Sequence, residues 1–145
     1  MGKRLAKRKI DPGPAPRTIW PMQHSQGFLA IVNVARTGVS EIDLDQACER
    51  LSKNPDTILL DVREDIEWSN GHAAEAVHQG KGILERDIES VVPEKGSEVI
   101  MYCGGGYRSV LTAEVAQRMG YTNVHSLIGG YKALVAAEWQ MENGD

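Results

Sequence analysis

The stretch E-V-I-M-Y-C-G-G-G-Y-R-S, Glu98 to Ser109, changes character halfway along. Its first half, through Val99-Ile100-Met101, is a short continuous apolar run, the pattern of a strand buried on both faces. Directly after it come one cysteine, three consecutive glycines and an arginine. From Ser109 the spacing turns helical: Val110, Leu111, Ala113, Val115 and Ala116 are apolar, and Gly120 stands at the C-terminal stop. Strand, loop and helix therefore follow one another within about twenty residues, the unit of an α/β fold. Three adjacent glycines cost a folded chain backbone entropy, so the loop around Cys103 has to require them.

Working outward, the same alternation recurs. Phe28 to Thr37 reads as a short helix, and Ile42 as part of a brief strand. Asp43 followed by Gln46 matches a capping box. Leu44, Ala47, Cys48 and Leu51 share a helical face, which makes Cys48 a small core residue in this reading. Thr57 to Leu60 is a second buried strand. A short helix through Ile66 and Trp68 is stopped by Asn70-Gly71, and Val77 lies in another brief strand. Leu84 to Val92 is helical and closed by Pro93; Asn123 to Leu127 is a further strand; Tyr131 to Trp139 is the last helix. The expected fold class is α/β, with a central, mainly parallel sheet covered by helices on both faces. Residues 1–22 are expected as a flexible basic, Pro-rich tail, 23–41 as a helical extension, and 42–141 as the single domain.

Cys103 then sits where a buried strand ends and a helix begins, the edge at which open α/β sheets bind ligands. The amides of Gly104, Gly105, Gly106, Tyr107, Arg108 and Ser109 precede or open the helix, where backbone N–H groups lack intrahelical partners and the helix dipole is positive. Glycines allow such amides to converge on one point, and Arg108 adds a charge and planar donors. Helix N-termini and cationic neighbours favour a thiolate. Cys103 is accordingly expected to be a nucleophile. Asp61 and Arg63 end the strand beside it as supporting residues, with Asp61 expected to bond backbone or Arg108. His72 and His78 have no usual metal-ligand spacing, and no metal or organic cofactor is expected.

Cys103 to Arg108 is a six-residue loop, and here the sequence resembles the rhodanese domain of sulfurtransferases. Tyr102-Cys103 through Arg108-Ser109 is similar to that family's active loop. Asp61-Val62-Arg63-Glu64, Gly71-His72 and Gly129-Gly130-Tyr131 are similar to further signatures, in the same order. The resemblance runs from about Ile42 to Trp139. It implies that Cys103 accepts a sulfane sulfur and carries it as a persulfide, that the loop amides cradle the terminal sulfur, and that Arg108 helps hold an anionic donor such as thiosulfate. The acceptor it implies is cyanide, a small thiol or a protein thiol. A carrier or partner-docking role, with a protein as sulfur donor or acceptor, is compatible with the same loop. Relatives with phosphatase activity carry a longer, seven-residue loop, against which the short loop here counts. Two scaffold stretches depart from the family pattern. Ala73-Ala74-Glu75 stands where a bulky apolar residue, proline and glycine are common, and Leu134 where tryptophan is frequent.

Composition is consistent with this reading. The 145 residues are 41% apolar and 25% charged, with formal net charge −4. Lys3, Arg4, Lys7, Arg8 and Lys9 concentrate five positive charges at the start. The remainder has 11 basic against 20 acidic residues, a balance of about −9 that disfavours nucleic acid as a partner. No apolar run suits a membrane span. With two cysteines and no secretory h-region, the expectation is the reducing cytoplasm.

Overall fold

The computed structural model describes residues 24–144; the expected basic tail lies outside them. The described elements, in chain order, are α1 (Gln26–Arg36), β1 (Ser40–Ile42), α2 (Leu44–Lys53), β2 (Ile58–Asp61), α3 (Asp65–Ser69) and β3 (His72–Ala73). They continue with β4 (Val77–His78), a 3-10 turn (Lys81–Ile83), α4 (Leu84–Val91), β5 (Val99–Tyr102), α5 (Arg108–Arg118), β6 (Val124–Leu127), α6 (Gly130–Ala136) and β7 (Met141–Glu142). Five strands form one sheet in the order β1-β6-β5-β2-β4, every neighbouring pair parallel. β3 and β7, two residues each, add a separate antiparallel pair that the sequence reading lacked.

β5 lies at the centre, and its side chains alternate between two cores. Val99, Met101 and Cys103 join Leu60, Leu84, Ile88, Val92, Ala113 and Ala116, under α4 and α5. Ile100 and Tyr102 join Ala47, Leu59, Leu127 and Leu134, under α2 and α6. All four β5 residues are fully buried. Removing each large apolar side chain from water contributes about 1.5–3 kcal/mol, so the strand carrying the cysteine is held from both sides. Leu134, one of the departures from the family pattern, is a buried member of the second core.

Local signals explain the element ends. Asp43 accepts the Gln46 amide at 2.8 Å while the Gln46 side chain accepts the Asp43 amide at 2.8 Å, a complete capping box for α2. Ser25 caps α1 through the Phe28 amide. At the start of β5, the Glu98 carboxylate accepts from Arg50 (2.7 Å), Thr57 (2.7 Å) and Asn54 (3.3 Å), tying α2 to the sheet. α1 forms a third layer, with Val32 and Ala35 packed on Val110 of α5. Among the described residues no helix is long and apolar enough to cross a membrane.

One core assignment is corrected. Cys48 is exposed. The face that α2 turns to the sheet runs through Ala47, with Leu44 and Leu51 beside it. The flank carrying Cys48 opens instead on a groove of about 510 Å³, lined also by Leu51, Pro55 and Trp139.

Candidate active site

Cys103 follows the last residue of β5 and is buried, at 1% exposure, below the partly exposed Gly104, Gly105 and Tyr107. Its sulfur accepts the amides of Gly106 at 3.2 Å and Ser109 at 3.3 Å. The Ser109 hydroxyl lies 3.5 Å from Sγ and 2.7 Å from the hydroxyl of Ser126. Of the six amides expected around the sulfur, these two reach it. The amides of Gly104, Gly105, Tyr107 and Arg108 find no acceptor among the described residues. The loop is thus a set of donors larger than the bare thiol can use.

α6 holds the base of the loop. The carbonyl of Cys103 accepts the Tyr131 amide at 2.7 Å, and that of Gly104 accepts the Lys132 amide at 3.1 Å. The amides of Gly104 and Gly105, which share those two peptide units, are left on the side away from α6. Such close approach needs glycines. A Cβ on Gly130 would collide with the Cys103 carbonyl, and Gly130 has φ +53°. Gly106 has φ +98°, and a Cβ there would lie 3.0 Å from the Gly129 amide nitrogen and 3.2 Å from the Leu127 carbonyl oxygen. At Gly105 the nearest atom to an added Cβ is 4.0 Å away. The three glycines are therefore not equivalent, and Gly106 is the one the backbone demands.

Asp61 and Arg63 are both buried and pair with each other. The Arg63 guanidinium donates to both Asp61 oxygens, Nη2 at 2.8 Å, and to the Gly71 carbonyl at 2.8 Å; the Arg63 amide also donates to Asp61. The guanidinium lies 4.1 Å from the Tyr131 ring centroid. Burial opposes the charged guanidinium, but the Asp61 carboxylate outweighs it and holds Arg63 protonated. The expected bond from Asp61 to backbone exists, whereas the alternative to Arg108 does not, because Arg63 takes up the carboxylate.

Arg108 instead meets a residue the sequence reading did not single out. Its Nη1 and Nη2 donate to the two oxygens of Glu67 at 2.8 and 3.0 Å. Glu67 also accepts the Glu64 amide at 3.0 Å, at the start of α3. The bond from Arg108 holds the Glu67 carboxyl below the usual carboxylate range, against the opposing effect of burial. α3 is in turn wedged in place. Trp68 stacks on His72, with ring centroids 3.4 Å apart, and on His78 at 4.8 Å. The two histidines thus flank an indole. Glu67 could have been noticed as the last residue of a Glu-x-x-Glu helix start, and Ser126 as a polar residue beside His125 in a short strand.

Tyr107 points away from the sulfur toward α1. Its ring lies 4.4 Å from that of His24 and 6.3 Å from that of Phe28, with the Arg36 guanidinium 5.0 Å from its centroid. α1 therefore braces the outer side of the loop.

Comparison with known proteins agrees with this geometry. A family model described as Rhodanese-like domain matches residues 44–137. The chain is 33% identical over 82 residues to thiosulfate sulfurtransferase GlpE of Coxiella burnetii, covering 57% of this chain and 75% of that protein. It is 34% identical over 110 residues to a tRNA uridine(34) hydroxylase of Prochlorococcus marinus, covering 70% of this chain. The match spans only 35% of the hydroxylase's length. Among solved structures, a protein of unknown function from Rhodopseudomonas palustris, described as a possible tyrosine phosphatase, superposes with a TM-score of 0.73 at 26% identity. That superposition covers 84% of this chain and 98% of the other.

Proposed function

The chain belongs to the rhodanese-like domain family, and from that premise we propose that it is a sulfurtransferase working through a persulfide on Cys103. The carrying observation is the pair of amides, from Gly106 and Ser109, directed at Sγ within a loop that holds further donors without acceptors among the described residues. Such a ring stabilises negative charge on the sulfur and on one more sulfur attached to it.

In the proposed reaction the Cys103 thiolate attacks the outer sulfur of a donor. A bond forms between Sγ and that sulfur, the donor's S–S bond breaks, and its electron pair leaves on the remainder, which is sulfite when the donor is thiosulfate. An acceptor nucleophile (cyanide, a small thiolate or a protein thiolate) then attacks the terminal sulfur. The Cys103 S–S bond breaks and the thiolate is restored. The two steps are together redox-neutral. Gly104, Gly105, Tyr107 and Arg108 would supply amides to the terminal sulfur, and the Asp61–Arg63 pair would hold the loop's base. The catalytic unit proposed is residues 42–141, braced by α1, in a compartment that keeps Cys103 reduced. A second reading, a sulfur carrier loaded by a partner protein with little small-molecule turnover, is favoured by the burial of Cys103 at 1%. Phosphatase activity fits less well, because the six-residue loop closes on sulfur rather than on a tetrahedral oxyanion.

Intact mass after incubation with thiosulfate or cysteine persulfide tests the proposal. One added sulfur, removed by cyanide and absent in Cys103→Ala, is expected. Failure of both donors to load the wild-type protein would overturn it.

A further inference from the structure

Among the described residues, every guanidinium beside the Cys103 loop is matched by a carboxylate, Arg36 over Tyr107 by Glu41. Arg63 is locked on Asp61, and both Nη atoms of Arg108 are taken by Glu67. Glu67 is itself anchored, since it accepts the Glu64 amide in the cap of its own helix. A Cβ on Gly104 would lie 3.0 Å from Arg108 Nη2, so the guanidinium crosses close over the loop on its way to α3. Glu64 and Asp65, both exposed, add acidic groups at the start of α3. Among the described residues the remaining cation tied to the loop is Lys132, whose amide bonds Gly104 and whose side chain is exposed. To an approaching anion, the paired Arg108 and Glu67 present a dipole instead of a charge, and a dipole's attraction falls off faster with distance.

Resting on the sulfurtransferase reading, we propose that Glu67 is a specificity-determining residue. By cancelling the charge of Arg108, it turns the loop away from the thiosulfate dianion and toward organic persulfides, R–S–SH, of small thiols or protein cysteines. Loading from such a donor balances without an oxidant. The Cys103 thiolate bonds to the outer sulfur, which keeps its hydrogen; the S–S bond breaks, and the electron pair leaves on RS⁻. A persulfide carries less negative charge on its sulfurs than thiosulfate does, and the loop amides suffice to hold it. Glu67 acts through Arg108 and is a positioning residue in this scheme.

The experiment compares loading by thiosulfate and by cysteine persulfide in wild type, Glu67→Gln, Arg108→Gln and the double variant. Glu67→Gln, which frees the guanidinium, is expected to raise the ratio of kcat/KM for thiosulfate to that for cysteine persulfide by at least about tenfold. Adding Arg108→Gln must remove that gain. An unchanged ratio in Glu67→Gln, or a gain that survives in the double variant, would overturn the proposal. A wild-type measurement decides the matter if Glu67→Gln does not fold. With Arg108 cancelled, kcat/KM for thiosulfate should not drop as ionic strength rises from about 0.01 to about 0.15 M. A steep drop would show an unscreened cationic site and overturn the proposal. Absence of sulfur on Cys103 from either donor is a separate result that sinks the sulfurtransferase reading itself.

Discussion

The carbonyl of Cys103 accepts the amide of Tyr131 at 2.7 Å, and this bond anchors the Cys103 loop to α6. A peptide unit whose carbonyl is engaged on one side presents its other groups to the opposite side. With the neighbouring bond from Lys132 to Gly104, the first turn of α6 holds two loop carbonyls and leaves the Gly104 and Gly105 amides, which share those peptide units, on the side away from α6. The Gly-Gly-Tyr signature at residues 129–131 thus serves the cysteine by holding the back of its loop.

Glycine substitutions should separate backbone demand from mere looseness. Gly106→Ala places a Cβ against backbone atoms at positive φ and should cost about 2 kcal/mol or more, with loss of sulfur loading. Gly105→Ala meets only an ordinary contact and should stay within about 0.5 kcal/mol of wild type. Urea unfolding of both variants checks this, and equal costs would contradict the geometry.

Acid should release the Arg108 latch. Because Arg108 holds the Glu67 carboxyl low, the pair's stabilisation is fully present above the unfolded carboxylate value of about 4.3. It is lost as pH falls through the lower folded value. The stability difference between wild type and Glu67→Gln should therefore be constant above about pH 5.5 and shrink below about pH 4. Urea midpoints measured across this range test it; a difference that grows in acid would refute the assignment.

The two cysteines should react on different timescales with a bulky maleimide. Cys48 is exposed and Cys103 is buried, so the folded protein should take one label quickly, on Cys48. The second should follow only in denaturant. Peptide mapping identifies the labelled site, and fast labelling of Cys48→Ser would count against the burial of Cys103.

Glu75 stands at φ +70°, in the third position of Ala73-Ala74-Glu75, where the family often has glycine. A non-glycine residue in this region carries a steric cost. Glu75→Gly should raise stability by about 0.5–1 kcal/mol, the relief of strain exceeding the added chain entropy. A lower urea midpoint would show that the Glu75 side chain contributes more than its backbone costs.

Much of this molecule is legible one segment at a time. The buried β5 run, the helical spacing after Ser109, the Asp43–Gln46 box and the Cys103 loop each declare themselves, because chirality, periodicity and hydrogen-bond satisfaction act over a few neighbouring residues. Cys48, exposed on an apolar helical face, departs from that reading for the same reason. Helical spacing shows which residues share a face, but not how far the sheet extends beneath that face.

Sequence alone determined the alternation of strands and helices and pointed to Cys103 as the proposed nucleophile, because both readings rest on local backbone physics. Tertiary structure decided which charge meets which. Arg108 and Glu67 are 41 residues apart and meet because β2 and β5 pair in parallel register, Asp61 beside Tyr102. That register carries α3 and the Cys103 loop to the same end of the sheet. Charge pairing across such a distance depends on the packed positions of whole elements, and no short window of residues contains it.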